Sequence, residues 1–481
     1  MALKLLWPER YVVNTPLRQA LLGKGIEPLA QEVLGRLRAP DGLAITRYAS
    51  GLENARFLRF SAAGDLLVSQ PRLGLVSLLE RDANGDGLAD GRRILLQGLD
   101  KPHGLDFQDG WLYVAETGAV GRIRFDPAAR TTAGAFERVV RDLPVGGNHW
   151  TRSIRFGPDG WLYVSIGSSC NACVESDRRR AAIVRYRPDG SGEELYASGL
   201  RNAVGFDFRP GTGELYATDN GRDLLGDDFP PCEWNHVERG GFYGWPFANG
   251  ARVPDPDLGA GRETEIARSV PPVHGFRAHN APLGMTFVSG ERAPESLRGT
   301  ALVALHGSWN RTRKDGYKVV ALRFGPDGRV SEEDFLTGFL LGEDVVGRPV
   351  DVALGPDGAV YVSDDYGGAV FRVAPATAAQ APPAAVAPAT TARDPLAGLA
   401  AEEVAARTGR GRALYAANRC ATCHDAATPP PGMVTRPLRD LGARYDATSL
   451  ANYLKTPNPP MPAFPMTDDE RLDLAVYLLT R

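Results

Sequence analysis

One phrase recurs six times along these 481 residues and constrains the fold more than any other feature. It is a short apolar stretch ending in Phe or Leu, then a turn containing Gly, then two or three apolar residues that read as a second strand. The first three copies are FLRF at 57–60 before LLV, GLDF at 104–107 before LYV, and SIRF at 153–156 before GPDGWLYV. The others are GFDF at 205–208 before ELYA, GMTF at 284–287 before ALVAL, and DVAL at 351–354 before GPDGAVYV. Measured between Phe60, Phe107, Phe156, Phe208, Phe287 and Leu354, the steps are 47, 49, 52, 79 and 67 residues. Each copy predicts a β-hairpin, because Pro presets φ and Gly accepts a positive φ in the turn. A single four-stranded unit of this length cannot bury both faces, so the units must pack radially around a channel. The expected fold is an all-β six-bladed propeller, and 55 Gly with 37 Pro suit many short strands better than long helices. The two long steps mark insertions, including the Gly-, Pro- and aromatic-rich stretch 221–280. Long loops on a rigid scaffold are where function concentrates.

The propeller does not account for the whole chain. From Ala374 to Ala392 there is no charged residue, ten of nineteen positions are Ala and four are Pro, which reads as a semi-extended linker. The expected organisation is an N-terminal extension over 1–40, the propeller over 41–374, the linker over 375–395 and a small all-α domain over 396–481. In that last domain Thr467-Asp-Asp-Glu470 predicts a capping box ahead of an apolar face formed by Leu472, Ala475, Val476 and Leu479.

Cys420-Ala-Thr-Cys423-His424 places two thiols one helical turn apart, followed by an imidazole, which is the attachment pattern of a covalent c-type haem. The cysteines would form the thioethers and His424 would ligate iron. A zinc knuckle lacks its other ligands, since no Cys and no further His follow His424. The opposite iron face calls for a thioether, from Met433, Met461 or Met466. Met433 lies only nine residues after His424, whereas Met461 sits in the stiff stretch Asn458-Pro-Pro-Met-Pro-Ala-Phe464 before the last helix. Met461 is the expected ligand, ahead of Met466, and this stretch resembles the Met-Pro ligand loop of class I cytochromes c.

A c-type haem is completed in an oxidising, extracytoplasmic space, so a periplasmic location is expected. Met1 to Tyr11 holds neither an uninterrupted apolar stretch nor a small-residue cleavage site, so the export signal is expected elsewhere or the start is misassigned or trimmed. With 55 Lys plus Arg against 58 Asp plus Glu, the net charge of -3 offers no electrostatic basis for binding nucleic acid or an anionic membrane. No stretch approaches the length of a membrane span.

Candidate site residues stand at equivalent places in the repeat. Gly147-Asn-His149-Trp-Thr-Arg152 precedes the third hairpin, Gly199-Leu-Arg201-Asn202 the fourth and Gly347-Arg348 the sixth. His149, Arg201 and Arg348 would therefore face one mouth of the channel, a cluster able to hold a polyanionic small molecule beside a base. Asp82, Asn84, Asp86 and Asp90 occupy positions 1, 3, 5 and 9 of a Ca2+-loop pattern with Gly87 at 6, but Arg93 stands at position 12. Ca2+ binding and a polar turn both remain open there. Cys170-Asn-Ala-Cys173 lacks a following His, so a disulfide is expected, with Cys232 as competing partner.

In order along the chain, His149 ahead of Pro158, Gly199-Leu-Arg201-Asn202, Asp219-Asn-Gly221-Arg222, Gly240-Gly-Phe-Tyr-Gly-Trp245-Pro246 and Ala281-Pro282-Leu-Gly-Met285 resemble the soluble pyrroloquinoline quinone (PQQ) glucose dehydrogenases. GNHWTRSIRFGPDG, SSCNAC and LHGSWNRTRKDGYK are closer still to the L-sorbosone dehydrogenase branch, which includes pyranose dehydrogenases. The resemblance covers about residues 45 to 374. It implies that His149 is the general base, that Arg201 polarises the quinone oxygens, and that Asn202 adjoins the cofactor. It also implies that the backbone carbonyls of Gly221 and Arg222 hold Ca2+, although the family often has Pro in place of Arg222. Arg348 matches an arginine for the cofactor carboxylates, while Val350 stands where a second is common. His306 falls near a cofactor-binding lysine of the family, and His103 near a glutamine beside the base.

The implied activity is PQQ-dependent oxidation of an aldose, sorbosone or related hydroxy-aldehyde. Electrons would pass to the attached haem c and then to a downstream cytochrome or quinone. Two alternatives use the same fold: a Ca2+-dependent propeller lactonase or hydrolase, and a ligand-binding propeller beside an electron-transfer cytochrome. A lactonase requires neither His149, Arg201 and Arg348 around a quinone nor a cytochrome.

Overall fold

The computed structural model describes residues 33–376, 395–425, 438, 441–455, 457 and 464–481. Most of the expected N-terminal extension and linker, together with Met433 and Met461, lie outside the described residues. The chain divides into two compact units, Met1–Ala381 and Pro382–Arg481.

The first unit is a six-bladed β-propeller built from six four-stranded antiparallel sheets. Blades 1 to 5 each run outward in chain order. Their innermost strands are Leu58–Phe60, Leu105–Gln108, Arg152–Phe156, Phe206–Phe208 and Pro282–Phe287. These coincide with the recurring phrase, whose turns form as its residues dictate. In blade 3, Gly157 N donates to Trp161 O at 2.9 Å and Gly160 takes a φ of 76°, a left-handed conformation that suits glycine. Second strands such as Leu162–Ile166 and Ala301–Leu305 are buried throughout, because neighbouring blades cover both faces. The outer strand Thr131–Val140 is largely exposed.

Blade 6 is assembled from both ends of the unit. Pro349–Leu354, Val360–Asp364 and Ala369–Pro375 supply three strands, and Leu43–Ala49 adds the outermost one, with Leu43 opposite Pro375 and Ile45 opposite Val373. Residues ahead of that strand also belong to the propeller: Val33 and Leu37 are buried in the blade 5 and 6 core, and Arg38 bridges to Thr337. The long steps in the repeat correspond to chain added around blades 4 and 5. In blade 4 the segment between Cys232–Val237 and His274–Phe276 carries a small hairpin and helix α1 (Glu263–Arg268).

Three carboxylates, Asp106 and Asp351 buried and Asp207 partly so, stitch adjacent blades along the channel. Asp106 accepts from Phe156 N at 2.7 Å, Asp207 from Phe287 N at 3.1 Å and Asp351 from Leu58 N at 2.8 Å. These bonds join blade 2 to 3, blade 4 to 5 and blade 6 to 1. Arg59 pairs with Asp106 at 2.6 Å and Arg155 with Asp207 at 3.0 Å, beside a cavity of about 200 Å3. Burial pushes the Asp351 carboxyl up to about 7.

The second unit is helical: α2 (Ala401–Ala417), α3 (Ala421–His424), α4 (Leu441–Arg444), α5 (Ala447–Lys455) and α6 (Asp468–Leu479). Its core gathers Tyr415, Leu450, Leu454, Leu474 and Ala475. Helices α2 and α6 approach so closely at Gly411 that a Cβ there would lie 2.1 Å from Asp473 O. Asp473 in turn pairs with Arg407 at 2.8 Å and Arg410 at 2.6 Å. The expected capping box is present, with Glu470 N donating to Thr467 Oγ1 at 3.3 Å and Thr467 N to the Glu470 carboxylate at 2.7 Å. No helix among the described residues is long and apolar enough to cross a membrane.

The carboxylate closing the ring between blades 6 and 1 gives a direct test. The six tryptophans among the described residues, Trp111 to Trp309, all lie in the propeller, so tryptophan fluorescence reports chiefly on it. At pH 5, where its raised pKa keeps Asp351 neutral, Asp351→Ala strands the Leu58 N–H and is expected to lower the unfolding free energy by about 1–3 kcal/mol. Asp351→Asn, which keeps an acceptor, is expected to stay close to the parent in the same urea titration.

Candidate active site at the channel mouth

In each blade the innermost strand begins, and the second strand ends, at the same end of the channel. The His149, Arg201 and Arg348 segments lead into the inner strands of blades 3, 4 and 6, while Ser168, Asn220, His306 and Asp365 follow second strands. Antiparallel pairing therefore gathers both sets at one mouth.

His149 Nδ1 lies 2.8 Å from Ser168 O and 3.0 Å from Ser168 Oγ. A carbonyl oxygen can only accept, so Nδ1 carries the ring proton and Nε2 keeps its lone pair. The Ser168 hydroxyl donates to Cys170 O at 2.7 Å, leaving its oxygen as a second acceptor for Nδ1–H. Glycine is needed behind the ring, since a Cβ on Gly167 would lie 2.6 Å from His149 Cβ and 2.4 Å from Asn202 Oδ1. Burial, reinforced by the charge of Arg201, pushes the His149 pKa down to about 3. His103 is likewise held neutral by burial and by Arg56.

Arg201 is buried in a cage of oxygen acceptors. Nε donates to Asn171 O at 2.9 Å, and Nη1 donates to Asn220 O at 3.1 Å and Gly221 O at 2.9 Å. Nη2 donates to Asn171 Oδ1 at 2.9 Å and to the Asp223 carboxylate at 3.0 Å. The Asp219 carboxylate fixes this turn by accepting from the backbone N–H of Arg201 at 2.8 Å and of Asn202 at 2.6 Å. Glu233 stands opposite Asp219 on the adjacent strand; burial raises both carboxyl pKa values, and the Asp219 charge raises that of Glu233 further. The Arg222 side chain turns into the insertion and grips the Asp255 carboxylate through two 2.7 Å contacts.

A second cluster forms around Asp365. Its carboxylate meets Arg56 at 2.9 Å, Arg348 at 3.0 Å and His306 Nε2 at 3.1 Å. Burial alone would raise the Asp365 pKa, but His306, Arg56 and Arg348 together hold it well below the usual carboxylate range. The two clusters adjoin the same aromatic wall: the Arg56 guanidinium stands 5.8 Å from the Trp150 ring, next to His149, and His103 packs 5.5 Å from that ring. Arg56 Nε and His103 Nε2 are buried with no hydrogen-bond partner among the described residues.

The structure thus brings His149, Arg201, Asn202, Gly221, Arg222, His306 and Arg348 to the rim of one channel, with His103 beside them. Sequence reading missed Arg56, Asp365, Asn171 and Asp223. Their only local signals are the position of Arg56 just before the first hairpin, the position of Asp365 just after the last second strand, and the placement of Asn171 inside C-x-x-C. Cys170 pairs with Cys173, while Cys232 is free and buried, which pushes its thiol up to about 11. In the 82–90 loop, Asp82 accepts from the backbone of Gly85, Asp86 and Gly87, and Asp90 accepts from Ala83 N, so these oxygens cap a polar turn. In the helical unit Cys420 leads into α3, His424 closes it, and Met466 is buried in the core on which Cys420 also packs.

Residues 111–372, more than half of the chain, match the family model for Glucose / Sorbosone dehydrogenase. The chain belongs to the glucose/sorbosone dehydrogenase family. Residues 406–478 match the model for cytochrome c oxidase, cbb3-type, subunit III, so in this chain a propeller of that family is joined to a cytochrome c domain. The aldose sugar dehydrogenase YliI of Escherichia coli is 26% identical over 297 residues, covering 55% of this chain and 72% of that protein. A pyrroloquinoline quinone-dependent pyranose dehydrogenase of Coprinopsis cinerea is 24% identical over 427 residues, covering 72% of this chain and 56% of that protein. The fold matches a calcium structure of a Trichoderma reesei carbohydrate-active enzyme of family AA12, with a TM-score of 0.62, 23% identity and coverage of 71% of this chain and 97% of that one.

The depressed pKa of His149 has a measurable consequence. Its imidazole is expected to stay neutral from pH 8 down to pH 5, with no titration of its NMR signals across that range. A signal moving with a midpoint near 6.5 would contradict the burial and tautomer described here.

Proposed function

We propose that the protein is a PQQ-dependent dehydrogenase that oxidises an aldose, sorbosone or related hydroxy-aldehyde and delivers the electrons to haem c on the same chain. The observation that carries this reading is a half-buried imidazole with a fixed tautomer, His149, beside caged Arg201 and the Arg56, His306 and Arg348 cluster.

The residues present fit the implied groups. PQQ carries three carboxylates, and the mouth offers two guanidiniums and an imidazole around one carboxylate, with Arg56 Nε still lacking a partner among the described residues. Ca2+ takes hard oxygen ligands, and the Asn220 and Gly221 carbonyls already converge on one cationic nitrogen of Arg201. In this reading Arg348, His306 and Arg56 hold the cofactor carboxylates, Asn202 adjoins the ring, and the Gly221 and Arg222 carbonyls hold Ca2+. Bound PQQ supplies the carbonyl carbon that accepts hydride. His149 Nε2 takes the proton from the sugar hydroxyl, its lone pair kept available by the bond from Nδ1–H to Ser168 O. Arg201 presents its charge to the quinone oxygens and favours the negative charge that develops there.

Cys420 and Cys423 hold haem c covalently, and His424 and Met461 ligate its iron. The cytochrome c domain thereby provides a one-electron outlet toward a downstream cytochrome or quinone. A c-type haem and a C-x-x-C disulfide both suit an oxidising compartment, in agreement with a periplasmic location.

Reconstitution with Ca2+ and PQQ tests the reading. Adding an aldose anaerobically is expected to reduce the haem only in the quinone-loaded protein. His149→Ala is expected to keep PQQ binding but lose about 10²- to 10⁴-fold in the rate of sugar oxidation. Sugar oxidation without the quinone, or a near-normal rate in the variant, would overturn it. The haem assignment has its own readout: Met461→Ala is expected to abolish the six-coordinate low-spin spectrum, while Met466→Ala leaves it in place. The opposite pattern would assign the ligand to Met466.

A further inference from the structure

We propose that the Cys170–Cys173 disulfide and the Asn171 it encloses form a clamp on Arg201, making Asn171 a positioning residue of the reaction. The proposal rests on the role given above to Arg201.

Asn171 grips one edge of the guanidinium with two acceptors, its backbone O on Nε and its side-chain Oδ1 on Nη2, both at 2.9 Å. This reproduces the fork by which a carboxylate holds arginine, but with a neutral amide. Asp223, 3.0 Å from Nη2, is the one charged partner of this guanidinium among the described residues, so the amide orients the edge without adding a second negative charge. The orientation of the amide follows from its other partners: Oδ1 also accepts from Asp223 N at 2.7 Å, and Nδ2 donates to Asp223 O at 3.0 Å. One side chain thus ties Arg201 to the loop that carries the Gly221 and Arg222 carbonyls. Trp245 Nε1 adds a 3.4 Å contact to Asn171 O.

The disulfide supplies what packing does not. Residues 170–173 are only half-buried and have no regular secondary structure, so no core holds Asn171 in place. Closing Cys170 onto Cys173 restricts the backbone of the two residues between them. The same loop reaches His149, since Cys170 O accepts the hydrogen bond of the Ser168 hydroxyl and leaves Ser168 Oγ as an acceptor for His149 Nδ1–H. A short cross-linked loop therefore orients both charged and proton-accepting groups at the mouth.

The test uses the full chain and reads Arg201 in two ways. In protein labelled with 15N-arginine, the Arg201 Nε–H signal is identified by its loss in Arg201→Lys. Its hydrogen exchange is expected to quicken about tenfold or more in Cys170→Ser/Cys173→Ser, which frees the Asn171 carbonyl, and that of the Nη2 hydrogens in Asn171→Ala, which removes their Oδ1 acceptor, with the haem spectrum unchanged and the fold retained in both. Unchanged exchange in both variants would overturn the clamp. With Ca2+ and PQQ loaded, Asn171→Ala is expected to lower kcat about 10- to 100-fold while the sugar KM and the quinone Kd hold. In an Arg201→Lys background the same change is expected to add nothing, because its effect passes through Arg201. Losses that simply add would refute the positioning role. Protein that binds no PQQ would remove the functional reading, and the exchange measurement would still decide the clamp.

Discussion

Closure of the ring is the constraint on which the rest of the propeller depends. A blade has two apolar faces and can bury them only between neighbours, so the last blade must find the first. Here Leu43–Ala49 completes the sheet of blade 6, and Asp351 on the inner strand of that blade accepts the Leu58 N–H of blade 1. Asp106 and Asp207 repeat the same stitch at alternate blade junctions. A carboxylate suits this role because its two oxygens satisfy backbone N–H groups that the narrow channel would otherwise strand. Because the ring is closed, residues as far apart as Arg56 and Asp365 meet across a single junction.

The mouth of this ring concentrates cations, and the structure handles them in two ways. Arg201 is surrounded by acceptors, most of them uncharged, which orient it at little cost to its charge. Arg56 and Arg348 share the single carboxylate of Asp365 with His306, leaving the cluster rich in donors. Burial and neighbouring guanidiniums act in the same direction on His149, so its imidazole stays neutral. A bond to a backbone carbonyl sets its tautomer. The arrangement suits chemistry in which an anionic cofactor is held by charge while a neutral nitrogen takes a proton.

Local patterns were legible because their physics is local. Gly-containing turns between apolar runs, Pro-Asp-Gly in blades 3 and 6, announced the inner hairpins from Phe60 to Leu354, and the capping box at Thr467 and Glu470 formed as expected. The spacing of the repeat also placed His149, Arg201 and Arg348 at equivalent points, because antiparallel hairpins put the same end of every inner strand at the same end of the channel. Arg222 was legible only in its backbone position. Its side chain depends on Asp255, thirty-three residues later in an insertion with no periodicity to read.

By itself the sequence determined the hairpins, their number, the C-x-x-C-H pattern at Cys420 to His424 and the family to which the propeller belongs, since each is written in residues near one another. Only the tertiary structure decided that Leu43–Ala49 seals blade 6, that Asp365 gathers Arg56, His306 and Arg348, and that Asn171 holds Arg201. These contacts join segments tens to hundreds of residues apart. Their partners are set by how a closed ring brings loops together, and no spacing along the chain encodes that.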